Sequence, residues 1–483
     1  RNAKTDHIVS TDPTIATATT DNAVVLGTNS FVQGRNSIAI GMGATVNSDK
    51  PGISQNSIAF GANANVKGGY STALGSNADA GDGDGMLAVG DNASTNNKTA
   101  GSATYNVKNS QSVALGSRAL AWGDQAIALG NDVKASGNSS VAIGGDDIDR
   151  VRYAYGNLYQ NITGQALPSG YRSTESSGGG ATAIGVMTTA SGHFASALGM
   201  TADASGNGAV AIGPVAKSSG EAGVAIGIAS QASAKKTIAI GSVATADKDY
   251  ATAIGGKASA TSEGAQALGY QSNASGYQSN AIGAQAAASG IASNAIGWNA
   301  NATAQNATAI GSGATADGDD AVVLGTNSFV QDKDSIAIGK GATVKSNILG
   351  ISQNSIAFGT DATVSGGNSV GIGAGSKTGT GVSMVAIGDR ASTDNQSDLN
   401  TSTTKTQSNR QSVAIGSRAF AVNPAMSIAV PDHVSVIGAQ AIGYGINPRD
   451  PYGDLIPIEG FVLYGASQTV KDYSADYNVA YEE

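Results

Sequence analysis

The chain has 483 residues, of which 67 are glycine, so glycine makes up about 14% where about 7% is usual, and only 5% of the residues are aromatic. Charged residues make up 13%, and the net charge of −9 comes without a basic cluster, which excludes nucleic acid as a partner. The sequence has no cysteine, which excludes disulfide bridges and cysteine-bound zinc, and it has no apolar run of about 18 residues that could span a membrane as a helix.

Residues 1–20 precede the first repeat and form an N-terminal segment. The chain begins with Arg1 and shows no signal-peptide pattern after it, so we interpret it as a processed piece of a longer protein. From residue 21 to residue 145 the phrase Ala-Ile-Gly, or a close variant of it, recurs at steps of fourteen residues or more. The glycine that ends each phrase stands at Gly27, Gly41, Gly61, Gly75, Gly90, Gly116, Gly130 and Gly144.

Residues 146–180 interrupt the repeat and are rich in tyrosine and arginine. Both residue types are frequent in binding hot spots, and insertions between repeats lie at turns, often on a binding face. An alternative is that the aromatic side chains only pack the insertion against the repeats or against a neighbouring subunit. The candidate ligand contacts are Arg150, Arg152, Tyr153, Tyr155, Tyr159, Tyr171 and Arg172.

Residues 181–318 carry the repeat at a strict step of fourteen residues. A large aliphatic residue precedes each glycine, and alanine almost always precedes that residue. Two small residues follow the glycine at the third and fifth positions, with a polar residue between them. This alternation predicts two short strands separated by turns, so that each repeat is one coil of a β-solenoid. Alanine also favours helices, but a glycine in every repeat and the lack of a 3.6-residue period argue against them.

The strand before each glycine is apolar on both faces, because alanine and a large aliphatic residue alternate there. A strand of this kind is buried on both faces, whereas a two-stranded coil has only one interior. One large aliphatic residue per coil contributes about 1.5–3 kcal/mol, which does not offset about 1–2 kcal/mol of backbone ordering for every residue. We therefore expect an obligate oligomer with this row at or near the subunit interface: Ile184, Ile212, Ile226, Ile240, Ile254, Ile282, Ile296, Ile310 and Ile338.

Residues 319–443 are a second copy of residues 21–145. The segment DNAVVLGTNSFVQ near the start of the first copy recurs as DDAVVLGTNSFVQ, 298 positions later. The shorter insertions recur in both copies, and we interpret them as loops that leave the solenoid at turns. The period decays after Ala421, and five of the nine prolines follow it, although a central strand does not tolerate proline; we expect a cap or a connector at residues 444–483.

Three features suggest chemistry but lack its structural context. The segment GNSVG at residues 367–371 has the GxSxG spacing of a nucleophile elbow, yet it opens no helix. The segment GDGDG at residues 81–85 offers two carboxylates without the other ligands of a calcium loop. The three histidines are scattered and have no metal-binding spacing: His7, His193 and His433. We expect no catalytic residue, no metal site and no cofactor.

The phrase Ser-x-Ala-Ile-Gly at fourteen-residue steps, as in SIAIG at residues 335–339 and SIAFG at residues 355–359, resembles the YadA-like head of trimeric autotransporter adhesins. The resemblance covers residues 21–443, and GGDDID from Gly144 resembles a head-insertion element. It implies an all-β fold, namely a left-handed parallel β-roll of fourteen-residue coils, three identical chains around one axis, and display on a Gram-negative outer membrane. The chain shows no typical neck or stalk, so we expect the membrane anchor outside this sequence.

The resemblance implies a non-enzymatic adhesin head on the bacterial surface. Its partners would be extracellular matrix proteins or host receptors such as the carcinoembryonic-antigen-related molecules. The alternative is a phage-type trimeric fibre that binds surface glycans; cleaving them would require paired carboxylates across coils, and none recurs here. An ice-binding solenoid needs a uniform threonine face, whereas the polar row here mixes Asp, Lys, Gln, Thr and Asn.

Overall fold

The protein was analysed as a computed structural model that describes residues 16–20, 22–47, 54–96, 110–345, 352–394 and 412–422, together with the strands at 426–429, 435–437, 440–443 and 462–464. The chain divides into two compact units, residues 1–257 and 258–483. In each unit, short strands alternate along the chain between two parallel sheets, and one sheet consists mainly of three-residue strands and the other of two-residue strands.

In the first unit, the three-residue strands are Val24–Leu26, Ile38–Ile40, Ile58–Phe60, Thr72–Leu74, Leu87–Val89, Val113–Leu115, Ile127–Leu129, Val141–Ile143, Thr182–Ile184, Ser196–Leu198, Val210–Ile212, Val224–Ile226, Ile238–Ile240 and Thr252–Ile254. The two-residue strands are Thr17–Ala18, Phe31–Val32, Thr45–Val46, Asn65–Val66, Leu120–Ala121, Lys134–Ala135, Glu175–Ser176, Thr189–Ala190, Asp203–Ala204, Lys217–Ser218, Gln231–Ala232 and Thr245–Ala246. A helix, Asp149–Thr163, lies between two of these coils.

In the second unit, the three-residue strands are Gln266–Leu268, Asn280–Ile282, Asn294–Ile296, Thr308–Ile310, Val322–Leu324, Ile336–Ile338, Ile356–Phe358, Val370–Ile372, Val385–Ile387 and Val413–Ile415. The two-residue strands are Ser259–Ala260, Asn273–Ala274, Ala287–Ala288, Asn301–Ala302, Thr315–Ala316, Phe329–Val330, Thr343–Val344, Thr363–Val364 and Lys377–Thr378. The last described strands are Phe420–Val422, Met426–Ala429, Ser435–Ile437, Gln440–Gly443 and Val462–Tyr464.

The strands pair in parallel with the equivalent residues of the next coil. Val210 pairs with Val224, and Val224 pairs with Ile238, so that these partners lie fourteen positions apart. Val141 pairs with Thr182 across the long insertion, which shows that the insertion leaves the register of the ladder intact. The predicted all-β parallel solenoid is confirmed.

Alanine fills the interior of the coils. In the strand Val224–Ile226, Ala225 is fully buried, whereas Val224 and Ile226 lie half-buried on the outer face. The paired strand of the same coil turns Ala232 inward and Gln231 outward. Side chains alternate across a strand, so each sheet has one inner row of small residues and an outer face of different character. On the three-residue strands the outer residue before the glycine is apolar and the first residue is apolar or polar, whereas the outer face of the two-residue strands is mostly polar.

The corners of the coils require left-handed backbone. Gly213 ends an apolar strand with φ +124°, and a Cβ added there would lie 2.7 Å from the carbonyl oxygen of Gly227 in the next coil. Only glycine meets both conditions. Other corners adopt φ near +60°, which side chains tolerate better, and they hold residues such as Val215 and Ala222.

The second unit ends in a change of strand direction. Met426–Ala429 and Gln440–Gly443 continue the parallel ladder after Val413–Ile415. Val462–Tyr464 then pairs antiparallel with Gln440–Ile442. A strand paired to the final parallel strand satisfies backbone groups that would otherwise form an open edge. Of the predicted cap or connector at 444–483, only residues 462–464 are among the described residues.

Candidate functional site

The insertion begins at a corner of the first unit, after Gly144. Forty-one positions separate Gly144 from the next repeat glycine, Gly185, which is 27 more than the usual fourteen. The ladder resumes at Glu175–Ser176, which pairs in parallel with Lys134–Ala135. The insertion is therefore an added element on the outside of an uninterrupted solenoid.

A helix occupies the first half of the insertion, and the all-β prediction did not include it. It runs over Asp149–Thr163 and carries an acidic residue in its first turn, where carboxylates interact favourably with the helix dipole. The Asp147 Oδ1 accepts the backbone N–H of Asp149 at 2.6 Å. The helix ends at Gly164, which has φ +76° and donates its N–H to the carbonyl of Gln160. The N-cap residue, Ile148, makes no side-chain cap hydrogen bond, so the turn at Asp147 marks the start of the helix and the left-handed Gly164 marks its end.

The insertion packs on an apolar strip along one corner of successive coils. Ile148, Tyr159 and Leu167 of the insertion form a buried cluster with Met187 and Ala229 of the solenoid. The residues partly buried against this cluster are Val186, Met200, Val215 and Ile228. Many equivalent corners elsewhere carry polar residues, for example Ser76-Asn77 and Asn131-Asp132. The apolar corners were thus a sequence signal for a docked insertion, which the periodicity alone did not reveal.

The seven candidate contact residues divide into a buried one and six at or near the surface. Tyr159 is only 7% exposed and belongs to the packing cluster, so the alternative of structural packing applies to it. Tyr153 is 95% exposed, and Tyr155 and Tyr171 are also exposed. Arg150 and Arg172 are exposed as well, while Arg152 is half-buried.

An exposed apolar stripe follows one face of the helix. Its members stand at i, i+4, i+7 and i+11, which places them on a common side. The stripe lies beside the face that carries Ile148 and Tyr159, so the solenoid covers only part of the apolar surface of the helix. The stripe consists of Val151, Tyr155, Leu158 and Ile162, each of which is exposed.

Residues 164–173 follow the helix, and we call this segment the strap. Its side chains form hydrogen bonds with the helix on one side and with the solenoid on the other. Asp149 accepts hydrogen bonds from Arg152 Nη2 at 2.6 Å and from the Tyr171 hydroxyl at 3.1 Å. The hydrogen bond to the Asp149 carboxylate, together with the negative charges of Asp149 and Asp147, raises the pKa of Tyr171. Arg172 Nη2 donates to the carbonyl oxygen of Met187 at 2.5 Å, which joins the strap to the solenoid.

A groove of about 420 Å³ lies between the strap and the wall of the coils, and we call it the strap groove. Pro168, Tyr171 and Arg172 line it from the strap, and residues of three consecutive coils line it from the wall. The wall residues are Met187, Thr201, Asp203, Val215, Ala216 and Lys217. The sequence analysis did not single out these wall residues as a site, because they belong to ordinary rows of the repeat.

The isoleucine row lies on the outer face of the three-residue strands. Its members are half-buried or exposed in the single chain, with Ile254 at 38% exposure, whereas the alanine beside each of them faces the interior. Each coil therefore presents an outward apolar side chain next to the glycine corner. The row is a continuous apolar surface within each unit.

The family model described as the YadA head domain repeat matches more than half of the chain. The matched residues are 18–44, 53–78, 108–132, 176–202, 204–230, 218–244, 232–258, 246–272, 260–286, 288–314, 316–342 and 351–376. The chain belongs to the YadA head family. No curated protein matches the sequence. Membership in this family implies a role like that of trimeric autotransporter adhesins. It also implies an association with the outer membrane at the cell surface.

The two motifs considered for chemistry have structural roles in this YadA-type head. Ser369, in the GxSxG segment, is fully buried; its hydroxyl donates to the Gly367 carbonyl at 2.9 Å and accepts the N–H of Met384 at 3.1 Å. Asp84 of the GDGDG segment accepts the N–H of Gly69 at 2.8 Å. Ser369 therefore stabilises the turn before Met384 in the next coil, and Asp84 stabilises the turn at Gly69 in the preceding coil.

The described part of the head contains neither a metal-binding cluster nor a helix that could span a membrane. Among the described residues, no group of three or more His, Cys, Asp or Glu side chains is placed to hold a metal ion. The described helix is too short and too polar to span a membrane.

Proposed function

We propose that this chain is the head of a homotrimeric adhesin on the bacterial surface, and that it attaches the cell to host cells or extracellular matrix through its insertion. The observation that carries the proposal is the insertion itself: a docked helix that exposes aromatic and aliphatic side chains on a family scaffold of adhesins. The candidate partners are matrix proteins and receptor ectodomains such as those of the carcinoembryonic-antigen-related molecules.

Trimer formation is supported by the outer isoleucine row. Burying a large aliphatic side chain fully contributes about 1.5–3 kcal/mol, so covering the remaining 38% of Ile254 would add about 0.6–1 kcal/mol. Each repeat adds a similar amount in each of three chains. In a single chain, the stacked coils leave this apolar surface in water. The left-handed trimeric roll that we expect would bury it between chains.

Two variants test the trimer, and each adds one negative charge to the outer face of a different sheet. Ile240→Asp places a carboxylate in the apolar row, and we expect it to abolish the trimer in light scattering. Thr245→Asp is the matched control, because Thr245 lies outward on the polar sheet, where Asp203 already occupies an equivalent position. A trimer that survives Ile240→Asp, or a stable folded monomer of the unmodified head, would show that this row is not the interface.

The contact surface is supported by the stripe and by the exposed tyrosine and arginine side chains. Exposed aromatic residues beside arginine are typical of protein-binding hot spots. A trimer would carry a net charge of about −27, three times the −9 of one chain, so general attraction to acidic cell surfaces does not explain attachment. Three copies of the same surface would instead strengthen binding through multivalency.

Attachment is tested by a deletion that respects the register. Removing residues 146–172 takes out 27 residues, restores the fourteen-residue step from Gly144 to Gly185, and eliminates all seven candidate contacts. We expect the shortened head to remain trimeric and to lose binding to cells and matrix proteins. Tyr153→Ala with Tyr155→Ala, in the intact insertion, should weaken binding without changing the fold. Unchanged binding after the deletion would exclude the insertion as the contact surface.

A further inference from the structure

We propose that one corner of the coils in the second unit binds a neutral, extended glycan by stacking its sugar rings on Tyr270 and Trp298. This site is separate from the insertion, which lies in the first unit, and it goes beyond the proposed adhesin role without depending on it. We call it the aromatic corner, and it consists of Tyr270, Gln271, Ala284, Gln285, Trp298 and Asn299.

The coils around the aromatic corner carry no charged side chain. Residues 264–316 contain no Asp, Glu, Lys, Arg or His, although 13% of the whole chain is charged. At that share, a segment of 53 residues would contain about seven charged residues. A charged ligand would find no opposite charge in these coils, so their surface suits a neutral polar ligand.

The aromatic residues occupy the same position of the turn in coils that stack in register. The strands before Tyr270, Ala284 and Trp298 pair in parallel from coil to coil. The Gln285 N–H donates to the Tyr270 carbonyl at 2.8 Å, and the Asn299 N–H donates to the Ala284 carbonyl at 2.9 Å. Coils lie about 4.8 Å apart, so the two aromatic residues stand about 10 Å apart along the stack of coils.

The two rings are accessible and are separated by a small residue. Tyr270 is 53% exposed and Trp298 is 59% exposed, whereas Ala284 between them has only a methyl group. In an extended β1→4-linked glycan, each ring advances by about one strand spacing, about 4.8 Å, and every second ring faces the same way. The first and third rings of such a chain can therefore stack on Tyr270 and Trp298, while the second ring passes over Ala284.

A row of amide side chains runs beside the aromatic residues. Gln271, Gln285 and Asn299 are exposed, and all three have φ between +53° and +59°. Gln285 Nε2 donates to Gln271 Oε1 at 3.4 Å, which leaves further donors and acceptors on both amides. Sugar hydroxyl groups also donate and accept, so they match this row. Protein-binding hot spots are enriched in arginine, which residues 264–316 lack, so the chemistry favours a glycan over a protein.

Tryptophan fluorescence of the intact head measures this binding directly. The chain has two tryptophans, so Trp122→Phe leaves Trp298 as the source of tryptophan emission. This variant is titrated with cellohexaose and chitohexaose, with maltohexaose as an α-linked probe and oligogalacturonate as a charged probe. Calorimetry repeats the titrations on the unmodified head.

The expected result is saturable binding of a neutral β-linked oligomer. We expect at least one of cellohexaose and chitohexaose to change the Trp298 emission, and the α-linked and charged probes to bind at least tenfold more weakly. The absence of saturable binding of both β-linked oligomers, or equal binding of all four probes, would overturn the proposal.

Matched variants assign the binding to the pair of rings. Trp298→Ala and Tyr270→Ala should each weaken binding of the β-linked oligomer at least tenfold in calorimetry, whereas Trp298→Phe should retain most of it because a ring remains. Tyr277→Ala is the control, since Tyr277 is 44% exposed but lies at the other corner of the coil. Equal affinities of Trp298→Ala and Tyr277→Ala would show that the aromatic corner is not the site.

A third ring tests the spacing of the platform. Thr326 is exposed and stands 28 positions after Trp298, which is two coils further along the same row. Thr326→Trp should raise the affinity for cellohexaose at least threefold and change the affinity for cellotriose much less, because only the longer chain reaches all three rings. An equal gain for both oligomers would contradict a glycan that lies along the row.

Further outcomes separate this site from the adhesin role and from an interface between chains. A head without residues 146–172 should still bind the β-linked oligomer. A head that attaches to cells and matrix but binds no neutral glycan would contradict the aromatic corner and leave the adhesin role standing. A head that binds the glycan but attaches to neither would contradict the adhesin role instead. If Trp298→Ala dissociates the trimer in light scattering, the aromatic pair is a contact between chains and the glycan assignment is wrong.

Discussion

Glycine at the apolar corner is a strict requirement of the coil geometry, and Gly213→Ala tests it. The backbone at Gly213 has φ +124°, a region that L-residues rarely adopt, and forcing alanine into it costs about 1–3 kcal/mol. The new Cβ would also lie 2.7 Å from the carbonyl oxygen of Gly227, whereas ordinary contacts begin at 3.4 Å. The next coil would have to move by about 0.7 Å, which is the difference between these two distances.

Such a movement would disturb the ladder hydrogen bond that crosses the same corner. The N–H of Gly227 donates to the carbonyl of Ile212 at 2.8 Å, and losing a hydrogen bond of this kind costs about 1 kcal/mol. Strain and hydrogen-bond loss together predict a destabilisation of about 2–4 kcal/mol for one added methyl group. The effect should begin in the coils next to Gly213, since repeat proteins are stabilised by neighbouring units.

Gly208→Ala is the matched control, five residues earlier in the same coil region. Gly208 has φ +66°, and the nearest atom to an added Cβ lies 4.0 Å away, at Ala222. Ala222 occupies the equivalent corner of the next coil with φ +53°, so alanine fits there. The left-handed cost of about 1–2 kcal/mol is partly offset by the lower entropy of the unfolded chain.

Urea unfolding and amide hydrogen exchange compare the two variants. We expect Gly213→Ala to lower the unfolding midpoint clearly and to speed exchange of the Gly227 amide, and Gly208→Ala to change both by much less. Equal effects of the two substitutions would refute the argument from backbone geometry.

Two further predictions concern the insertion. A pH titration that follows phenolate absorbance records the ionisation of the tyrosine side chains. Tyr171→Phe should remove one ionisation at high pH from this titration. The raised pKa means that the Tyr171–Asp149 hydrogen bond stabilises the strap below the ordinary tyrosine pKa of about 10 and is lost as pH rises through the higher folded value. An unaltered titration would contradict this bond. Tyr159→Ala should destabilise docking of the insertion by about 3–5 kcal/mol and expose the helix to proteolysis, whereas Tyr153→Ala should not; equal cleavage would refute the packing role.

The solenoid could be predicted from the sequence because the same residue pattern recurs in repeat after repeat. Each repeat places glycine at a corner, alanine on the inner face and a polar residue between two small ones, so errors in one repeat do not change the inference. The sequence segment of the helix Asp149–Thr163 does not recur in the second copy, and its apolar positions only become recognisable beside the apolar corners at Met187 and Val215. The docking signal was thus split between two distant segments.

The strap groove illustrates the opposite difficulty, because the period conceals it. Asp203 and Lys217 stand in a row that looks like an ordinary solvent-facing strand, and Thr201 stands at an ordinary corner. Only the docked strap turns these positions into the wall of a groove and removes water from Thr201. Tyr159 shows the reverse case, since a residue type typical of binding surfaces is used for packing.

The small interior explains why added function lies outside the coils. Ala225 and most of its equivalents are fully buried alanines, and the larger Val323 at an equivalent position is fully buried as well, so side chains fill the interior of these described coils. The polar outer face and the corners with φ near +60° can vary as long as the ladder keeps its register. Val141 pairs with Thr182 as neighbouring coils do elsewhere, although the insertion lies between them. The fold can therefore gain a helix, a strap and a groove without altering the hydrogen bonds that hold it together.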